Sequence, residues 1–124
     1  MPRVVHFEIV TLDPQRAMRF YGELLGWTFS QVEGHDGYWH IQTGADDEPG
    51  INGGLTRPYF EGPQPGAGAW LCTVEVAALD DYGARIEACG GAIVTPPFPI
   101  AGVGRMLHAR DPDGNVFGLI EKIT

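Results

Sequence analysis

The sequence predicts an α+β fold in which a strand–helix–strands unit is written twice. A strand-like run ending near Thr11 leads into a short helix that stops at Gly26, and a second run ending near Val76 leads into a short helix that stops at Gly90 and Gly91. Each helix is followed by strand-like stretches rather than by another helix. With 18 glycines and 10 prolines in 124 residues, the chain also carries the turn residues that many short strands require.

His6 to Thr11 alternates, with Phe7 and Ile9 on one side and His6 and Glu8 on the other, as a half-buried strand does. Asp13 followed by Pro14 is a helix start: a side-chain acceptor for free N–H groups, then a residue that needs no N–H in the first turn. Ala17, Phe20, Tyr21 and Leu24 fall at helical spacing on one face, and Gly26 supplies the left-handed stop. Trp27 to Val32 and Tyr38 to Thr43 read as strands around a turn-rich Glu33–Gly37, and a short strand follows at Ile51 to Thr56. Module 1 then covers about 1–57, a Pro- and Gly-rich linker about 58–68, and module 2 about 69–124, all within a single domain.

In the second half, Trp70 to Val76 is a strand rich in β-branched residues. A helix starting near Asp80 presents Leu79, Tyr82, Ile86 and Cys89. Ile93 to Thr95 reads as a short strand, and Pro96, Pro97 and Pro99 predict an irregular extended passage after it. Arg105 to Arg110 and Val116 to Glu121 form the last hairpin, joined by Asp111-Pro112-Asp113-Gly114. The sum is eight strands and two helices in two similar halves.

Composition narrows the function. An apolar fraction of 44% is ordinary for a folded globular chain, and no apolar run reaches the ~18 residues of a membrane span. The N-terminal Met-Pro-Arg-Val-Val-His lacks the apolar stretch of a secretory signal, so a cytoplasmic location is expected. A net charge of −8 at pH 7 argues against nucleic acid and anionic membranes as partners. Cys72 and Cys89 form no metal-type pair and are expected as small buried thiols.

The stretch "DPQRAMRFYGELLGW" with His6 before it, the Gly90-Gly91 helix stop and the terminal "DPDGNVFGLIE" resemble the vicinal oxygen chelate superfamily. That superfamily includes glyoxalase I, bleomycin-resistance proteins and extradiol dioxygenases. The resemblance spans essentially the whole chain and is specific to the superfamily rather than to one activity. It implies two βαβββ modules whose sheets curl around a cleft, commonly in a homodimer. Strand parity then sets His6 and Glu8 of the first strand inward, with Leu71, Thr73 and Glu75 on the fifth. Asn52, Gly54 and Thr56 of the fourth strand and Gly118 of the last, with Val116 and Ile120 beside it, face the same cleft.

Metal-dependent members of such a family take ligands from the first, fourth, fifth and eighth strands, because imidazole and carboxylate together hold a divalent ion and leave positions open to substrate oxygens. Carried over, those positions fall on His6, Gly54, Leu71 and Gly118. Three of four lack a ligand, and Glu121 lies on the opposite face from Gly118, so no inherited metal site and no cofactor are expected. A divalent metal at non-inherited ligands stays open: His6, Glu8 and Glu75 could converge, joined by His40 or His108. The plainer reading makes Glu8 and Glu75 hydrogen-bonded groups of a polar cavity lined by His6.

Trp39, Tyr59, Phe60, Trp70 and Phe98 are candidates either for stacking on a flat ligand or for ordinary packing. Pro96 to Gly104 is either a loop over the cleft mouth or a plain connection, and Arg57 and Arg105 either pair with a ligand carboxylate or are solvated. "GINGG" at Gly50–Gly54 lacks the lysine and helix of a phosphate loop, and there is no G-x-S-x-G nucleophile motif. The expected function is metal-independent binding of a small organic ligand in the inter-module cleft by His6, Glu8, Gly54, Leu71, Thr73, Glu75 and Gly118. His6 and Glu8 are the candidates for any general acid–base catalysis. The alternatives are a metal-dependent lyase or isomerase of glyoxalase type, a dioxygenase, or a partner-binding module whose cleft is filled by its own side chains. The glycines at two ligand positions argue mildly against the last, since they leave space.

Overall fold

A computed structural model describes residues 2–58 and 70–123. Among these residues the order is β1 (Arg3–Val10), α1 (Pro14–Leu25), β2 (Thr28–Gln31), β3 (Tyr38–Gln42), β4 (Gly53–Thr56), β5 (Trp70–Glu75), α2 (Leu79–Arg85), β6 (Ala92–Ile100), β7 (Gly104–Arg110) and β8 (Val116–Lys122). This is the doubled βαβββ pattern. Tyr59 and Phe60, and most of the expected linker, lie outside the described residues.

The chain divides into two compact units, His6–Trp70, and Met1–Val5 with Leu71–Thr124. In the first module the strands run β2-β3-β4-β1, antiparallel except for the parallel pair β1–β4. In the second the order is β5-β8-β7-β6, again with one parallel pair, β5–β8. A parallel pair needs a long crossover, and the helix of each module lies within that connection.

Each module buries one face of its strands under its helix. In module 1, Phe7, Ile9, Ile41 and Leu55 form the core, with Ala17, Met18 and Tyr21 of α1 packed on it. In module 2, Val76, Leu79, Leu107, Ala109 and Leu119 do so, with Val74, Tyr82 and Ile86 alongside. Leu79 and Leu107 are fully buried, so truncating either to Ala costs about 2–5 kcal/mol. The parity expected for β1 is observed, and so is that of β5 at Val74 and Val76.

Local chemistry explains the ends of α1. The Asp13 side chain accepts from the Arg16 backbone N–H, Pro14 opens the first turn, and Gly26 closes the helix at φ 74°. The packed face is rotated from the expected one. Phe20 and Leu24 are 56% and 66% exposed, while Met18 packs inward. Pro14, Ala17, Met18 and Tyr21 satisfy helical spacing equally well, and an apolar stripe wider than one face leaves the choice to packing.

Three other expectations need correction. Helix α2 ends at Arg85, and hydrogen-bonded turns carry the chain to the Gly91 N–H, which donates to the Ile86 carbonyl. Cys89 is therefore not on a buried helical face, and both cysteines are exposed rather than buried. Pro96 to Gly104 is neither a lid nor an irregular passage, because β6 runs through three prolines to Ile100. The register shifts between Thr95 and Phe98 place Pro96 and Pro97 in a bulge, and β6 ends the strand order with β7 as its neighbour. An edge strand tolerates missing N–H donors on its open side. The Asp111–Gly114 turn forms as expected, with Asp111 Oδ1 accepting from the Asp113 and Asn115 N–H groups at 2.9 Å.

Candidate functional site

The face of each module opposite its helix carries the candidate residues. In module 1 the register aligns Glu8 with Gly54, Gly54 with His40, and His40 with Ser30 across four strands. Residues aligned in this way point to the same side, so Glu8, Gly54 and His40 share a face with His6 and Tyr38, their neighbours two places along.

Tyr38 organises this face. Its hydroxyl donates to Glu8 Oε2 at 2.9 Å and lies 3.2 Å from His6 Nε2. His6 Nε2 is also 3.5 Å from Glu8 Oε2. Glu8 is 4% exposed, whereas the His6 side chain keeps 30% of its surface. The three groups form one cluster with the carboxylate at the back and the imidazole towards solvent. Burial, then the Glu8 charge and its hydrogen bond, push the Tyr38 hydroxyl well above the usual phenol range, so it stays protonated and remains a donor.

Gly54 makes the cluster possible. A Cβ on Gly54 would collide with the Tyr38 hydroxyl and its ring. The phenol thus occupies the volume that a fourth-strand ligand side chain would need. Sequence reading placed Tyr38 only as the first residue of β3 and missed its role. The available signal was a glycine on one strand with an aromatic residue on its neighbour, a pairing in which the ring covers the bare backbone.

Module 2 repeats the row with other chemistry. Thr73 aligns with Gly118, Gly118 with His108, and His108 with Thr95. Here Met106 stands where Tyr38 stands in module 1, two residues before the histidine. A Cβ on Gly118 would meet Met106 Cε at 3.0 Å and Thr73 Oγ1 at 3.1 Å. Thr73 and His108 are both 4% exposed, and the His108 ring lies 5.8 Å from that of Phe98. Leu71 is buried, and Glu75 lies 3.7 Å from Lys122 Nζ. The two glycines therefore do not leave open space. Side chains of their own modules cover both.

The remaining described candidates make contacts within their compact units or lie at the surface. Trp70 stacks on Phe7 with ring centroids 5.2 Å apart and its indole N–H donates to the Tyr21 hydroxyl, while Trp39 packs on the module 1 core. Arg105 pairs with Asp80 at 3.1 Å on the surface, and Arg57 is exposed. Glu121 accepts from the Leu79 N–H at the start of α2, which puts it on the helix side, away from Gly118, as expected.

A divalent ion does not fit the inherited positions. Leu71 has no donor atom, Gly54 is covered by a phenol held on Glu8, and Gly118 is flanked by a thioether and a hydroxyl. Among the described residues, no three His, Cys, Asp or Glu side chains gather as a ligand set.

Comparison with known proteins agrees with this architecture. The chain is 30% identical over 116 residues to CFP32 of Mycobacterium tuberculosis, a protein provisionally named a glyoxylase, covering 92% of this chain and 42% of that protein. It is 30% identical over 125 residues to the anthracycline biosynthesis protein DauV of Streptomyces sp. strain C5, covering 94% of this chain and 46% of that one. The chain thus spans less than half the length of these curated relatives. Among solved structures, methylmalonyl-CoA epimerase in complex with methylmalonyl-CoA and NH4+ superposes with a TM-score of 0.70 at 18% identity, covering 100% of this chain and 96% of that one. The epimerase of Mycobacterium tuberculosis gives 0.65 at 18% identity, covering 98% and 88%. At such identity these structures share the fold. The family profile itself matches residues 3–119, and the chain belongs to the Glyoxalase/Bleomycin resistance protein/Dioxygenase superfamily.

Proposed function

We propose that this protein binds a small organic ligand without a divalent metal, on the face of module 1 that carries His6, Tyr38 and Glu8. The observation that supports this most is the Tyr38 hydroxyl: it stands in the Gly54 position and is tied to Glu8 and His6. A hydrogen-bonded phenol and imidazole on one face supply the directional polar contacts that give a ligand orientation and specificity. The names of the compared proteins direct the choice of ligand to acyl-CoA thioesters, substrates of glyoxylase type and anthracycline-related compounds.

Two measurements on the purified protein test this reading. Metal analysis after dialysis is expected to show far less than one Ni, Zn, Fe or Mn per chain, and stoichiometric retention of any of them overturns the reading. Calorimetric titration with those three ligand classes is expected to give saturable binding that His6→Ala weakens at least tenfold. The homodimer expected from the resemblance and the cytoplasmic location expected from the sequence belong to the same proposal, and sedimentation and fractionation read them out.

The same groups support a second reading, proton transfer to or from the bound ligand, because His6, Tyr38 and Glu8 form a continuous hydrogen-bonded cluster. Unchanged turnover of an identified substrate in Glu8→Gln removes it.

A further inference from the structure

The protons in the module 1 cluster are not free to sit anywhere. An ionised carboxylate only accepts hydrogen bonds, and a charge-assisted bond to it is the strongest that a phenol can make in this cluster. The single Tyr38 proton is therefore directed to Glu8 Oε2 at 2.9 Å. The phenol oxygen then turns a lone pair toward His6 Nε2, 3.2 Å away. If Nε2 were unprotonated, two lone pairs would face each other across that distance. With a proton on Nε2, the imidazole donates to the phenol oxygen and also points a positive edge at Glu8, 3.5 Å off. Neutral imidazole carries one N–H, so Nδ1 is left as an acceptor. Nδ1 has no hydrogen-bond partner among the described residues, and the His6 side chain retains 30% exposure.

We infer that Glu8 and Tyr38 are positioning residues that fix His6 as its Nε2–H tautomer, so that the cluster offers Nδ1 to the ligand as a hydrogen-bond acceptor. The ligand group matched to it is an O–H or N–H donor, such as an enol, phenol or amide, rather than a bare carboxylate or ketone. This inference rests on the ligand reading above and adds the chemical class of the contacting group. A site built to accept a hydrogen bond rejects an analogue without the donor far more strongly than one that differs only in size.

Nitrogen NMR of the full chain, at a pH where histidine is neutral, reads the tautomer without any ligand. Wild type is expected to show a protonated Nε2 and an unprotonated Nδ1 for His6. Tyr38→Phe removes the phenol oxygen, so both resonances are expected to move toward the average of two exchanging tautomers. Phenol and anisole then serve as aromatic probes that differ in the O–H donor, whose proton a methyl group replaces in anisole. Phenol is expected to shift the Nδ1 resonance at least fivefold more than anisole does. An Nδ1–H tautomer, or an imidazolium at that pH, overturns the inference, as does an equal response to the two probes. Should Tyr38→Phe fail to fold, the wild-type tautomer and the probe pair decide alone. Metal retention or failed calorimetry counts against the ligand proposal, whereas the tautomer is read independently of both.

Discussion

The two modules solve the same local problem in opposite ways. Each places a glycine on its last strand between a residue of its first strand and a histidine of its third: Glu8–Gly54–His40 in one, Thr73–Gly118–His108 in the other. Each covers that glycine with the side chain two positions before the histidine. In module 1 the cover is Tyr38, a rigid ring anchored to a buried carboxylate, and the histidine at the end of the row is exposed. In module 2 the cover is Met106, a flexible thioether, and His108 is 4% exposed. Even the outer ends differ: Ser30 is exposed, whereas Thr95 Oγ1 is buried with no hydrogen-bond partner among the described residues. The doubled plan contains two equivalent rows. The side chain that covers the glycine made one of them a polar site and the other a packed interior.

If that distinction is right, adding one methyl group to each glycine should give unequal results. Gly54→Ala drives a Cβ into the Tyr38 hydroxyl and breaks its bond to Glu8, so a loss of about 3 kcal/mol is expected from the urea unfolding midpoint. Tyr38→Phe keeps the ring and removes the hydroxyl that donates to a buried carboxylate and faces His6, with an expected loss of about 1–3 kcal/mol. The double variant should lose less than the sum of the two, because both remove the same hydrogen bond.

Alkali sharpens the same contrast. The Tyr38 hydroxyl is held above the ordinary phenol value of 10.0, so its contribution is fully present below about pH 10 and is lost as pH rises through the folded-state value. Thermal unfolding above pH 10 should therefore fall more steeply in wild type than in Tyr38→Phe. No group in the Met106 position titrates there.

Gly118→Ala should be the milder methyl insertion, at about 1 kcal/mol, because the Met106 terminus can move where the Tyr38 ring cannot. A loss equal to that of Gly54→Ala would end the distinction between the two covers. The smallest effect is expected in the β7–β8 turn. Hydrogen bonds from Asn115 hold the Asp111 carboxyl below its usual range, so the turn is supported at neutral pH and weakens as pH falls through the folded-state value. Amide exchange at Asn115 and Gly114 should rise on acidification while the module 1 strands stay protected.

The architecture was legible because its signals are local or periodic. Asp13, Pro14 and Gly26 mark α1 by backbone chemistry alone, and the alternation at Phe7 and Ile9 states which side of β1 meets the helix. The weaker readings were those in which several local answers were equally good. The apolar stripe of α1 allowed two faces, and packing chose Met18 over Phe20 and Leu24. The prolines of β6 argued against a strand, yet an edge position with a bulge admits them. The burial expected for Cys72 and Cys89 followed residue averages that neither position obeys.

By itself, then, the sequence determined the doubled βαβββ plan, the strand parity, and the absence of side-chain donor atoms at Gly54, Leu71 and Gly118. These depend on residue identity and on spacing along the chain. Only the tertiary structure decided which side chains cover the two glycines. Tyr38 lies 16 residues before Gly54 and 30 after Glu8, and nothing in local propensity connects the three. Their meeting depends on the pairing of β3 with β4 and of β4 with β1, because register across strands determines which side chain lies over a bare glycine.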